Sequence, residues 1–133
     1  MGSCHPRRNA VVFYTTMWYK QPVEFIESLP FTRRLHELAG DSADQLLRSI
    51  EKDLLANPER GSLVPGLGGV RKARQANPAR GKGKRGGYRY FYMYFVRDEQ
   101  IFLLYLLDKQ DREDLTADQR KMIKAMAEAE AEN

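Results

Sequence analysis

Residues 88–107 read YRYFYMYFVRDEQIFLLYLL, and this stretch decides the fold. Tyr88–Val96 is rich in aromatic side chains, which are typical of strands. Ile101–Leu107 is apolar enough to form a central strand, and the polar residues 97–100 between them predict a turn. The stretch therefore predicts an antiparallel hairpin within a sheet.

The segments before the hairpin predict two strands and two helices. Val23–Glu27 has the character of a short strand, and a short helix follows it and ends at Gly40. Ser42-Ala-Asp-Gln45 has the form of a capping box, so we expect a second helix to begin there and to stop at Asn57-Pro58. Glycine and proline predict a loop over residues 59–69, and Val70–Ala76 is a plausible strand, the first of the three late strands.

The segments after residue 76 complete the predicted order of elements. Asn77–Gly87 is a second glycine-rich loop, and Thr116-Ala-Asp-Gln119 is a second capping box that predicts a last helix. The order is strand, helix, helix, three strands, helix.

The length of 133 residues predicts one domain. We expect this domain to span residues 23–127. Residues 1–22 form an N-terminal extension that is either disordered or partly a cloning remnant, although Val11–Tyr14 has the composition to pair as a strand. Residues 128–133 form an acidic tail.

The composition excludes several kinds of site. The lone Cys4 allows no internal disulfide, which fits a cytoplasmic protein. The only histidines are His5 and His36, so without further His or Cys no zinc set is available, and we expect no serine–histidine–aspartate arrangement. No run approaches the roughly 18 apolar residues that span a bilayer. We therefore expect no metal, no cofactor and no membrane partner, so any chemistry must use Lys, Arg, Tyr or carboxylates.

Charge is distributed unevenly along the chain. The net charge is +4, yet residues 60–97 contain ten Lys or Arg and no Asp or Glu, whereas residues 108–133 contain eight acids and five bases. A stretch without negative charge favours an anionic partner, and a phosphate backbone matches it through direct pairing and counterion release.

The basic residues fall into two groups with tyrosines beside them. Arg71, Lys72 and Arg74 lie on the predicted strand before the hairpin, and burying three such charges would be costly. The glycine-rich loop carries a second group, whose members are Arg80, Lys82, Lys84 and Arg85. The tyrosines at 88, 90, 92 and 94 would stack on single-stranded RNA bases, or else fill the core of a sheet covered on both faces.

Two of these segments resemble the pattern of HigB-type toxins in the RelE/ParE superfamily. They are Gly66-Leu-Gly-Gly-Val-Arg-Lys-Ala-Arg74 and Gly81-Lys-Gly-Lys-Arg-Gly-Gly-Tyr-Arg-Tyr-Phe-Tyr92, and Lys109-Gln-Asp-Arg-Glu-Asp-Leu-Thr116 is similar to the family's passage from last strand to last helix. The resemblance implies an α+β protein with a RelE-like, microbial-RNase-type fold, an antiparallel sheet with two N-terminal helices and a C-terminal helix. The predicted order of elements agrees with this fold. It also implies a type II toxin that cleaves mRNA in the ribosomal A site, and a cognate antitoxin, often with a helix-turn-helix DNA-binding domain.

This resemblance implies a metal-independent endoribonuclease, an mRNA interferase that inhibits translation. We assign Lys72, Arg74, Arg89 and Lys109 to the catalytic site, with Lys72 as general base. The residues assigned to RNA or phosphate binding are Arg71, Lys82, Lys84, Arg85 and Tyr105. Lys109 or Tyr105 would supply the acid or a stacking surface. Because Arg71 and Lys72 are neighbours, an ideal strand would send them to opposite faces.

Two other functions fit the same sequence. A ParE-like toxin would poison gyrase without cutting RNA, and a non-catalytic module would bind RNA without cleaving it. The density of basic residues on the strand and loop favours the nuclease over both.

Overall fold

The computed structural model describes residues 7–12, 23–76, 87–108 and 114–131. Within these ranges the chain forms one six-stranded sheet and three α-helices. No helix in this part of the chain is both long enough and apolar enough to cross a membrane.

The sheet has the strand order β1-β2-β6-β5-β4-β3. Its strands are β1 (Arg7–Val12), β2 (Val23–Glu27), β3 (Ser62–Leu63), β4 (Arg71–Gln75), β5 (Tyr88–Phe95) and β6 (Gln100–Asp108). Neighbours pair antiparallel except β2 and β6, which are parallel because the chain crosses over through the helices and β3–β5 before it returns. The predicted α+β class is confirmed, with this one parallel pairing added.

The predicted strands agree closely with the observed ones. β2 has the predicted bounds, and β5 ends one residue earlier than predicted. β4 is one residue shorter at each end than predicted, and β6 is one residue longer at each end. The structure adds β3 inside the stretch predicted as a loop, where Ser62 pairs with Lys72, and β1 inside the N-terminal extension. The β5–β6 hairpin is confirmed.

The helices are α1 (Leu29–Ala39), α2 (Ala43–Ala56) and α3 (Ala117–Ala131). The capping box of α3 is confirmed, because Gln119 N donates to Thr116 Oγ1 at 3.1 Å and Thr116 N donates to Gln119 Oε1 at 2.8 Å. The box predicted at Ser42 is wrong. A 3₁₀ turn over Gly40–Ser42 leads straight into α2, so the backbone of Ser42 is not extended and its side chain makes no capping bond.

The sheet has an apolar core on each face. On the helix-pair face, α1 and α2 cover a set that includes Phe25, Tyr88, Tyr90, Tyr92, Ile101, Leu103 and Leu106. On the α3 face, α3 and residues 64–70 cover a set that includes Ile26, Phe91, Met93, Phe102, Leu104, Tyr105 and Leu107. Tyr88, Tyr90 and Tyr92 are therefore core residues rather than stacking surfaces for RNA bases, and Tyr94 is partly buried beside them.

Glu51 is a buried carboxylate in the helix pair, only 1% exposed. Burial raises its pKa above the usual 4.5, and the guanidinium of Arg48, 3.4 Å away, only partly offsets this. The folded state therefore holds this proton more tightly than the unfolded chain. Ionised Glu51 lowers stability above its folded pKa, and that loss disappears as the pH falls to about the unfolded value.

We expect Glu51→Gln to raise the free energy of unfolding at pH 8, with the gain shrinking as the pH approaches 4.5. Urea titrations across this range measure the difference. Glu37→Gln is the matched control, because Glu37 also pairs with an arginine three residues away but its side chain is 61% exposed. Equal pH profiles for the two variants would contradict the prediction.

Candidate functional site

β4 presents two cations to the α3 face. Lys72 lies opposite Phe91, and Arg74 lies opposite Arg89, in the antiparallel pairing of β4 with β5. Residues opposite one another across such a pair project from the same face. Since Phe91 belongs to the α3-face core, Lys72, Arg74 and Arg89 share that face. We call these three residues the cationic cluster.

The cationic cluster places like charges on adjacent strands. Arg74 and Arg89 are direct cross-strand partners, an arrangement that normally destabilises a sheet. Arg74 is exposed, and Lys72 and Arg89 are half-buried. Neither the Lys72 amine nor the Arg74 guanidinium forms an ion pair or hydrogen bond with any residue in the described ranges. Such a surface suits an anionic ligand with several oxygens, since arginine binds phosphate oxygens with a planar fork.

Arg71 lies on the opposite, helix-pair face, across from Tyr92. Its Nη1 donates to the carbonyl oxygens of Gly61 at 2.7 Å and Glu59 at 3.4 Å. The structure therefore separates Arg71 from the cationic cluster, as strict alternation along a strand anticipates. Its guanidinium anchors the loop that leads into β3.

Arg60 is a second anchoring arginine, at a position that no local sequence pattern marks as functional. Its Nη1 donates to Tyr90 Oη at 2.8 Å and to the Arg74 carbonyl at 3.1 Å. Burial raises the pKa of Tyr90 to about 12, although the Arg60 charge opposes the shift. Tyr90 therefore stays protonated at neutral pH. Arg60 steadies the backbone of β4 at the residue that carries an exposed cation.

Tyr105 lies opposite Phe91 on β6, so it faces the same side of the sheet as the cationic cluster. Its hydroxyl accepts a hydrogen bond from Gln119 Nε2 at 3.2 Å, and the Arg34 guanidinium lies 5.6 Å from its ring centre. The ring is only 7% exposed, so it offers no open stacking surface. Arg34 is a cation near this face that no local sequence signal indicated.

Four residues of the predicted site lie outside the described residues. They are Lys82, Lys84, Arg85 and Lys109. The described part of the site is thus the cationic cluster on β4 and β5, with Tyr105 on the next strand and Arg34 beyond it.

Solved structures of toxins from E. coli are similar to this chain at low identity. The chain matches the isolated RelE toxin with 15% identity and a TM-score of 0.46, covering 77% of this chain and 96% of that chain. A double arginine-to-alanine mutant of RelE in the free state gives 15% identity and a TM-score of 0.49, covering 80% and 94%. The intact RelBE toxin–antitoxin complex gives 16% and 0.46, covering 63% and 93%.

A protein family also matches the chain directly. The family described as the RelE toxin of the RelE/RelB toxin–antitoxin system matches residues 36–132. This range is well over half of the 133 residues and contains α2, α3 and the strands β3 to β6. It also contains every residue of the cationic cluster.

Proposed function

The chain belongs to the RelE toxin family, and on this premise we propose that it is a ribosome-dependent mRNA endonuclease that arrests translation by cutting mRNA in the A site. The observation that carries the proposal is the cationic cluster. Lys72, Arg74 and Arg89 lie on one face of adjacent strands, with two arginines directly opposite each other. Two guanidinium groups placed opposite each other on one face support the binding of a phosphate, whose oxygens can accept from both.

The chemistry that these groups support is transfer of a phosphodiester to its own 2′-hydroxyl. The 2′-oxygen attacks phosphorus, a base takes its proton, and the bond from phosphorus to the 5′-oxygen breaks as that oxygen gains a proton. Arg74 and Arg89 would hold the phosphate oxygens and stabilise their growing negative charge. Lys72 would act as the general base. The site does not include Arg71, because its guanidinium is bound to the loop carbonyls on the other face.

The acid that protonates the leaving oxygen is assigned to Tyr105 or Lys109. Tyr105 has the correct face, and its hydroxyl is held by Gln119 Nε2. Lys82, Lys84 and Arg85 would grip the RNA backbone outside the cleavage point, where charge rather than geometry is required.

The partners in this proposal are the ribosome with its mRNA and a cognate antitoxin. The E. coli RelBE structure is a toxin–antitoxin complex. We propose that this chain is likewise held by an antitoxin, one with a helix-turn-helix DNA-binding domain. Arg74 is exposed and forms no ion pair with a described residue, so it is a cation that acidic side chains of such a protein would neutralise.

Primer extension on a defined mRNA in a translating system tests the proposal. The purified protein is compared with its Lys72→Ala, Arg89→Ala double variant, with and without ribosomes. We expect cuts within codons that require both ribosomes and the intact protein. Absence of cuts while growth is still arrested in cells would favour a gyrase-directed toxin, and RNA binding without cuts or arrest would favour a non-catalytic RNA-binding module.

A further inference from the structure

β6 contains a β-bulge beside the cationic cluster. Phe91 of β5 pairs with Tyr105, but the next residue of β5, Tyr92, pairs with Leu103, so Leu104 has no partner. One strand thus carries one extra residue, and the alternation of its side chains is reset at that point.

The bulge decides which face Tyr105 occupies. Before it, Phe102 faces α3 and Leu103 faces the helix pair, as alternation requires. At the bulge, Leu104 and Tyr105 both face α3, and Leu106 returns to the helix-pair face. In an unbulged strand Tyr105 would project into the helix-pair core, away from Lys72 and Arg89.

Ser28 holds the bulge from the junction between β2 and α1. Its backbone N–H donates to the Leu103 carbonyl at 2.9 Å, and its hydroxyl donates to the Leu104 carbonyl at 2.8 Å. The same hydroxyl oxygen accepts a hydrogen bond from Phe31 N at 3.0 Å, so Ser28 also caps α1. Only 4% of Ser28 is exposed. Successive carbonyls of a regular strand point to opposite edges, so two consecutive carbonyls on one edge indicate a bulge. Ser28 donates a hydrogen bond to each of these two carbonyls.

Arg34 supports β6 on the other side of Tyr105. The pairing of β2 with β6 ends at Glu27 and Leu103, so the later part of that edge is open to α1. Arg34 Nε donates to the Leu106 carbonyl at 3.1 Å, and its guanidinium covers the Tyr105 ring. The edge of β6 is therefore bound before and after Tyr105 by two residues of the segment that starts α1.

We propose that Ser28 is a positioning residue of the cleavage site, because it holds the bulge that turns Tyr105 onto the face of the cationic cluster. This inference rests on the proposed function. Ser28 does not touch the reacting atoms; it acts through the carbonyls of Leu103 and Leu104. Its loss leaves Lys72, Arg74 and Arg89 in place on β4 and β5 but removes the hydrogen bond that holds the Leu104 carbonyl at the bulge beside Tyr105.

Ser28→Ala is the first test variant, since alanine removes the hydroxyl and both of its hydrogen bonds. Ser28→Thr keeps the hydroxyl and serves as the conservative rescue. Ile50→Val is the stability control, because Ile50 is fully buried in the helix-pair core and a lost methylene costs stability comparable to a lost helix cap. If Ser28→Ala does not fold, Ser28→Cys takes its place, since a thiol is a weak donor and acceptor of similar shape.

Steady-state cleavage on ribosomes separates positioning from stability. Displacing a group within a site by about 1 Å can reduce the rate roughly 100-fold. We expect Ser28→Ala to lower kcat by about 10-fold to 100-fold, with KM changed less than about threefold because the cations that bind RNA stay in place. Ser28→Thr and Ile50→Val should both stay within about threefold of the unaltered protein.

Tyrosine ring signals in NMR spectra provide a readout that does not depend on activity. In Ser28→Ala the ring signals of Tyr105 should shift, whereas those of Tyr90 and Tyr92, on the opposite face, should not. Unmoved Tyr105 signals, or a kcat equal to that of Ile50→Val, would overturn the positioning role while cleavage by the unaltered protein still upheld the proposed function. An unaltered protein that cuts no RNA would overturn both.

Discussion

Replacing Arg89 with alanine is expected to lower ribosome-dependent cleavage by roughly 100-fold to 1,000-fold, the cost of removing one preorganised group that stabilises a developing oxyanion. Arg89 lies opposite Arg74 on neighbouring strands, so the two guanidinium groups can hold one phosphate from two sides. Lys72→Ala should produce a loss of about the same size, because the proposed base contributes a similar factor of 10²–10⁴. Single-turnover cleavage of A-site mRNA measures both effects.

Arg97→Ala is the matched control for these variants. Arg97 is exposed in the turn between β5 and β6, at the opposite end of the hairpin from Arg89, so its replacement removes the same charge from outside the cluster. We expect it to stay within about threefold of the unaltered protein, since exposed charges act mainly on association. If Arg97→Ala were as impaired as Arg89→Ala, net charge rather than the cluster would drive the activity.

Gly61→Ala is expected to lower the free energy of unfolding by about 3 kcal/mol, the upper part of the range for overpacking. A Cβ at Gly61 would lie 2.6 Å from the Lys72 carbonyl oxygen and 3.0 Å from Tyr92 Cε1. The first contact is backbone in a paired strand, which cannot swing aside. The Gly61 N–H also donates to Tyr92 Oη at 3.0 Å, so moving the loop breaks that bond.

The Gly61 prediction is checked by urea unfolding, with Gly68→Ala as the comparison. Gly68 has a positive φ of 67° but open space around its missing Cβ. Its substitution should therefore cost only the backbone strain, about 1 kcal/mol. Equal losses for the two variants would show that β4 can move away from residue 61. A shift of β4 would also displace Lys72, so folded Gly61→Ala should cleave RNA more slowly.

Local sequence was enough to place most of the secondary structure. The dense aromatic and apolar residues of 88–107 fold as the predicted hairpin, and both of its faces are buried, one by the helix pair and the other by α3. Likewise Thr116 and Gln119 form the predicted cap, because the box satisfies two backbone donors within one helical turn. The same pattern does not form a cap at Ser42, because the 3₁₀ turn over Gly40–Ser42 gives Ser42 a backbone conformation that is not extended. Short patterns hold only where the neighbouring segment leaves the backbone free.

Alternation along an ideal strand predicts that Arg71 and Lys72 lie on opposite faces, but a bulge could have brought them together. The regular pairing of β4 with β5 places them apart. The contact of Arg71 with the loop carbonyls came only from the tertiary structure. The sequence left open whether the tyrosines of β5 stack on RNA bases or fill the core, because the same residue type suits both roles. The packing of α1 and α2 on one face of the sheet decided between these roles, because it buries Tyr90 and Tyr92.

Only the tertiary structure decided how the site is held. The bulge at Leu104 lies in an unbroken apolar run, where no residue type marks an extra position. It depends on Ser28, 76 residues away, and the same edge depends on Arg34, 72 residues away from Leu106. Contacts at such separations form only after the sheet has assembled. The sequence by itself determined four of the six strands, the helices and the positive charge. The packing of α1 against β6 decided which side chains lie beside that charge.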